Sequence, residues 1–180
     1  MSRRLLLISG SLRAGSTNTA VLLTAQAVAP EGVEAQLYDG VDRLPHFNPD
    51  DDAEPLHPEV SAFRAAVNDV DAVLISTPEY AGALPGSLKN LLDWTVGDGD
   101  SSGKPVGWIN ASASPTGAVG AHDSLRTVLT YTDWAVVDRA CARVPVTRGD
   151  VGPDGLIADA GLRHQIADVV DALTSYAAAR

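Results

Sequence analysis

A three-layer, doubly wound α/β fold around a five-stranded parallel sheet is predicted by three features of the 180-residue sequence. Short apolar runs alternate five times with stretches of helical periodicity, which implies parallel strands joined by right-handed crossovers. The runs are continuous, as strands covered on both faces require. Five strands in a chain of this length fit the order 2-1-3-4-5 better than the six-strand dinucleotide-binding order.

The elements follow in turn. Residues 4–8 read as a buried first strand, closed by Ser9-Gly10-Ser11. A helix is expected over 18–28, with Val21, Leu22, Ala25 and Val28 on one face. Residues 33–38 form the second strand. Over 57–70, Val60, Phe63, Ala66, Val67 and Val70 make a helical stripe. The remaining expectations are a strand at 72–77, a short helix at 88–96, a strand at 105–109, a helix at 121–131, a strand at 134–137 and a closing helix at 162–179. Neither an internal repeat nor a long linker divides residues 1–180, so one domain is expected.

Composition narrows the function. With 13 basic and 23 acidic side chains the net charge is −10. Such a field repels phosphate backbones and argues against a nucleic-acid binder that relies on bulk charge. It also argues against a polybasic membrane anchor. The 45% hydrophobic and 20% charged content is that of a globular protein. Arg3-Arg4 ahead of Leu5-Leu6-Leu7-Ile8 imitates a secretion signal, but the apolar run is too short for one and far too short to span a bilayer. A single cysteine, Cys141, excludes an intrachain disulfide and reads as a small buried apolar group. The expected compartment is the cytoplasm.

On an open parallel sheet, ligands sit beyond the carboxyl ends of the strands, where the strand order reverses. That directs attention to the loops at 9–18 and 78–86. The first reads Ser9-Gly10-Ser11-Leu12-Arg13-Ala14-Gly15-Ser16-Thr17-Asn18. Its glycines have Walker A spacing, but Ser16 stands where the lysine is needed, and no G-x-G-x-x-G is present. What remains is a hydroxyl-rich strand-to-helix turn with one arginine. Backbone N–H groups at a helix start, with Ser11, Ser16, Asn18 and Arg13, suit a phosphate. Helix capping accounts for one such side chain, not five.

The second loop runs Thr77-Pro78-Glu79-Tyr80-Ala81-Gly82-Ala83-Leu84-Pro85-Gly86. Two prolines stiffen it, its backbone N–H groups are expected to be free, and Tyr80 could pack beside a planar heterocycle. By itself it is equally consistent with a surface turn ahead of a capped helix.

Together the loops resemble the NADPH-dependent FMN reductase family of the flavodoxin-like superfamily. The family's G-S-L-R-x-G-S-x-N stands as Gly10 to Asn18. Its P-E-Y-N…P-G-x-L-K-N-x-x-D-W stands as Pro78-Glu79-Tyr80-Ala81 and Pro85-Gly86-Ser87-Leu88-Lys89-Asn90-Leu91-Leu92-Asp93-Trp94. A third match is Gly103-Lys104-Pro105-Val106, leading to a hydroxyl-bearing loop at 111–114. The resemblance implies FMN with its phosphate in the first loop, on Ser9, Gly10, Ser11, Leu12, Arg13, Gly15, Ser16, Thr17 and Asn18. It also implies that the isoalloxazine edge lies along Pro78, Glu79, Tyr80 and Ala81, with Ser112 reaching it. The implied reaction passes hydride from NADPH or NADH to flavin N5, then reduces a quinone, azo, nitro, metal-oxyanion or flavin acceptor, with ping-pong kinetics. A homodimer or homotetramer is implied as well. Ala81 replaces the family asparagine, so an amide near the ring is lost, which bears on ring affinity, potential or acceptor preference.

Other patterns fail on context. Asp98-Gly99-Asp100 opens like an EF-hand, but the twelfth position is Ile109. Ser101-Ser102-Gly103-Lys104 matches S-x-x-K without its companion motifs. Asp50-Asp51-Asp52 reads as a solvated loop, and Asn110-Ala111-Ser112 is a sequon in form only. His46, His57, His122 and His164 read as surface or capping residues, and Trp94, Trp108 and Trp134 as core or subunit-contact residues. Lys89 and Asp93 have the spacing of a helix ion pair. Two other functions suit the same fold: an FMN-binding electron carrier reduced by a protein partner, and a cofactor-free binding module. No basic pair stands out for a 2′-phosphate that would choose NADPH over NADH.

Overall fold

The fold, a computed structural model, describes residues 2–97, 99 and 101–180. Five parallel strands form one sheet in the order β2-β1-β3-β4-β5. They are β1 (Arg3–Ser9), β2 (Val33–Leu37), β3 (Ala72–Ser76), β4 (Pro105–Asn110) and β5 (Ala135–Arg143). Side chains alternate between faces along β1. Leu5 and Leu7 meet α1 (Thr17–Ala27) and α5 (Ala160–Ala178) through Val21, Leu22, Ile166 and Val170. Leu6 and Ile8 join the opposite layer, built from α2 (Pro58–Asn68), α3 (Gly86–Asp93) and α4 (Val119–Tyr131). The fold class and strand order are therefore those expected from the sequence.

The fifth strand is the main correction. Instead of ending at 137 it continues to Arg143; Asp138 and Arg139 interrupt the apolar run from which a strand is read, as exposed positions of an edge strand allow. The pairing slips there: Val106 faces Val136, but Trp108 faces Cys141. Such a bulge breaks the alternation from which a strand is read.

Several smaller expectations resolve in the packing. Trp94, Trp108 and Trp134 are all buried in the core, and Lys89 pairs with Asp93 at 2.6 Å. Asn90 and Trp94 pin the chain after β2: Asn90 Oδ1 accepts from Phe47 N–H, while Asn90 Nδ2 and Trp94 Nε1 both donate to Pro45 O at 2.9 Å. Asp50 and Asp51 are exposed, but Asp52 is not simply solvated, since it pairs with Arg64 at 2.8 Å with both side chains mostly covered. Cys141 is half-buried rather than buried. Asp98 and Asp100 of the EF-hand-like stretch lie outside the described residues. Among the described residues no cluster of three His, Cys, Asp or Glu could hold a metal. No described helix is long and apolar enough to cross a membrane.

Candidate functional site

The loops after β1 and β3 meet. Gly10 N–H donates to Ser76 O at 2.9 Å. A Cβ on Gly10 would collide with the Thr77 side chain, so any other residue there requires Thr77 to shift. Ser76 Oγ lies 3.0 Å from Asn18 Oδ1 and 2.9 Å from Ile109 O, and this one hydroxyl joins β3 to both α1 and β4.

Within the first loop the polar groups divide their work. Ser9 Oγ accepts from Ser11 N–H at 3.2 Å and lies 3.0 Å from Thr19 Oγ1. Ser16 is the helix cap, its hydroxyl accepting from Asn18 N–H at 3.3 Å. The backbone N–H groups of Gly15, Ser16 and Thr17 have no acceptor among the described residues. Arg13 is exposed, with Nη2 donating to Gly15 O at 3.4 Å. Leu12 is exposed beside it. Unpaired N–H groups at a helix start, hydroxyls and one guanidinium form a donor set that fits a phosphate.

The second loop is a tight hairpin. Tyr80 and Ala83 exchange two backbone hydrogen bonds of 3.1 Å, and the residues between them, Ala81 and Gly82, take φ of 51° and 77°. Two central residues with positive φ make a type I′ turn, for which Asn-Gly is the favoured pair. The expectation of free backbone N–H groups is thus corrected at Tyr80 and Ala83: the turn uses both. Tyr80 remains about half exposed, at 53%.

A third loop, after β4, completes the arrangement. Asn110, dismissed from sequence as a mere sequon, shapes it. Its Nδ2 donates to Gly117 O at 3.0 Å, and its Oδ1 accepts from Ser112 N–H at 2.9 Å. The loop ends at Ala118, which caps α4 in the left-handed region (φ 61°) and offers no capping side chain. The cap comes from elsewhere: Glu79 Oε2 accepts from Ala121 N–H at 3.0 Å. His122, read from sequence as a surface or capping residue, is instead buried, 7% exposed, with Nδ1 2.6 Å from Ala118 O. Its position on the apolar stripe with Leu125 and Leu129 is the signal that could have placed it.

Thr17, Asn18, Pro78, Glu79, Ser112 and Ala118 line one cleft of about 280 Å³. Ser9, Ser11, Leu12 and Arg13 face a second groove of about 310 Å³ on the other side of the first loop. Two larger grooves, each about 430 Å³, run along the edge strands β2 and β5 and contain neither loop. Size alone favours those, but the ends of β3 and β4 open on the smaller cleft through Pro78, Glu79 and Ser112, joined there by Thr17 and Asn18 of the first loop, while the other polar groups of that loop face the second groove.

The sequence profile of the NADPH-dependent FMN reductases matches residues 3–146. The chain belongs to that family. It is 33% identical over 168 residues to an NAD(P)H-dependent FMN reductase of Pseudomonas aeruginosa, covering 92% of this chain and 90% of the relative. A quinone reductase of Escherichia coli is 32% identical over 167 residues, with 89% of each chain covered. Among solved structures, the flavoenzyme NAD(P)H:(acceptor) oxidoreductase FerB of Paracoccus denitrificans superposes with a TM-score of 0.82 at 27% identity. That superposition covers 96% of this chain and 98% of FerB. This reductase-family chain is accordingly an oxidoreductase of FMN and NAD(P)H, and the donor set of its first loop is chemically suited to FMN.

Proposed function

We propose that this FMN- and NAD(P)H-dependent oxidoreductase holds its flavin across the three loops and reduces a small-molecule acceptor by a ping-pong sequence. The observation that carries the reading is the meeting of the loops after β1, β3 and β4, with Thr17, Asn18, Pro78, Glu79 and Ser112 on one cleft and the loops tied by Gly10 N–H to Ser76 O and by Glu79 to Ala121. In this reading the phosphate is held by Arg13, by the hydroxyls of Ser9, Ser11 and Thr17, and by the N–H groups of Gly15, Ser16 and Thr17, unpaired among the described residues. Pro78, Glu79, Tyr80 and Ala81 border the ring, and Ser112 faces it from the loop after β4. When bound, FMN supplies the two-electron relay between nicotinamide and acceptor.

The protein's share is position and exclusion of water. No side chain in the cleft is required as nucleophile or general acid. The half-exposed Tyr80 gives a planar donor or acceptor an aromatic surface, and one open cleft that nicotinamide and acceptor occupy in turn produces ping-pong kinetics. Quinones are the first acceptor class to test, because several relatives carry quinone reductase names. Azo, nitro, metal-oxyanion and free-flavin acceptors come next. The cleft of about 280 Å³ is small for a ligand site, and we propose a homodimer or homotetramer in which a second copy adds cover. We further propose that residues 1–180 act as one domain in the cytoplasm, without membrane or nucleic-acid partners.

Anaerobic mixing with NADPH and then with NADH tests the reading. Rapid bleaching of the flavin absorbance, followed by recovery on adding a quinone, is the expected result. Bleaching that waits for an added reductase protein would make the chain an electron carrier, and a colourless protein after purification with FMN would make it a cofactor-free module. Parallel lines in double-reciprocal plots test the ping-pong order.

A further inference from the structure

We propose that His122 is a positioning residue for flavin binding: its Nδ1–H holds the left-handed turn at Ala118 that closes the cleft. The inference rests on that cleft being the FMN site. Ala118 lines the cleft together with Ser112, Glu79 and Asn18. It also adopts φ 61°, a conformation that side-chain-bearing residues seldom take and that persists only where surroundings impose it. Its own side chain cannot cap the helix it starts.

Residue 122 supplies the constraint twice. Its backbone N–H donates to Ala118 O at 3.1 Å, and its imidazole Nδ1 lies 2.6 Å from the same oxygen. A carbonyl can only accept, so Nδ1 carries the proton and Nε2 bears a bare lone pair. Nε2 is buried and has no partner among the described residues. The ring sits against Trp108, centroids 6.1 Å apart. Burial lowers the pKa of His122 below the ordinary 6.5, outweighing the opposing influence of the Ala118 carbonyl, Asp123 and Glu79. A neutral, buried donor of one hydrogen bond fits a role in geometry and not in proton transfer. The loop from 111 to 118 is then fastened at its start by Asn110 to Ser112 N–H and at its end by Asn110 to Gly117 O and His122 to Ala118 O. Ser112 lies between.

Isosteres separate this role from general packing. The Asn amide reaches the place of Nδ1, whereas the Gln amide reaches the place of Nε2. FMN dissociation constants, measured by flavin fluorescence on reconstituted holoenzymes, are expected to rise about tenfold in His122→Ala, the scale of one lost buried hydrogen bond. His122→Asn is expected to restore binding to within about twofold, and His122→Gln is not. Equal binding by the Asn and Gln variants, or wild-type affinity in His122→Ala, would overturn the proposal. Should His122→Ala fail to fold, the Asn–Gln comparison alone decides. Arg13→Ala serves as the control for the site. If it leaves FMN affinity unchanged, the site reading fails; if it weakens binding while His122→Ala does not, only the role of His122 fails.

Discussion

Glu79 caps a helix that starts 40 residues later in the chain: its Oε2 accepts from Ala121 N–H at 3.0 Å, across a sequence separation of 42. The helix has no side-chain cap of its own, and a carboxylate at this end also meets the positive pole of the helix. This contact locks the hairpin after β3 to the loop after β4. Glu79→Ala is expected to lower unfolding free energy by about 1–2 kcal/mol, the usual range for losing a charged cap, and Glu79→Gln by less, since an acceptor remains. Urea titrations followed by circular dichroism measure both.

Ala81 spends its conformational energy in the left-handed region, at φ 51°. An alanine there costs about 1–2 kcal/mol relative to a residue that adopts it readily, and Asn does so by bonding locally. Ala81→Asn is expected to raise stability by about 1 kcal/mol. Acceptor preference and flavin potential, measured on the same variant, then show whether the amide also reaches the ring. A stability gain with identical kinetics assigns the family's asparagine to the turn.

Arg13 is exposed, and its side chain bonds only to its own loop among the described residues. Arg13→Ala should therefore weaken FMN binding by about 1–3 kcal/mol, the scale of a charge-assisted hydrogen bond, while leaving the apoprotein's melting temperature unchanged. Fluorescence titration and thermal melts together give the comparison.

His122 introduces a pH dependence whose sign is fixed. Its pKa is lowered on folding, so below the ordinary 6.5 the unfolded chain binds a proton that the native state resists. Its contribution to stability is intact above that value and is lost as pH falls through 6.5 toward the lower native pKa. Urea midpoints from pH 8 to 5 should drop more steeply in the wild type than in His122→Asn. Parallel slopes would show that His122 does not titrate as argued.

Cys141 titrates the other way. Burial pushes its thiol from 9.0 to about 11, so at neutral pH the native protein carries almost no thiolate. An aromatic disulfide reagent at pH 8 should label Cys141 slowly in the native state and at once in urea. Stability from the protonated thiol is present below pH 9 and declines between 9 and about 11.

Much of this could be read from residues in order. The run Leu5-Leu6-Leu7-Ile8 is apolar at every position because both faces of β1 are covered, and that property is visible without coordinates. Lys89 and Asp93 found each other because a helix brings residues four apart together. Local patterns failed where a contact reached across the sheet. Asp52 looked solvated until Arg64 of α2 lay beside it. Edge-strand charges and a slipped register concealed the second half of β5. Asn110 and His122 gave no short-range sign of serving the loop between them.

Sequence alone therefore determined the layering, the strand order and the family, because periodicity and motif spacing are properties of neighbours along the chain. Tertiary structure alone decided that Glu79 caps α4, that His122 is buried against Trp108, and that Gly10 must yield space to Thr77. The reason is physical: periodicity tells which face of an element leaves water, but the partner of a polar group is set by how distant elements pack.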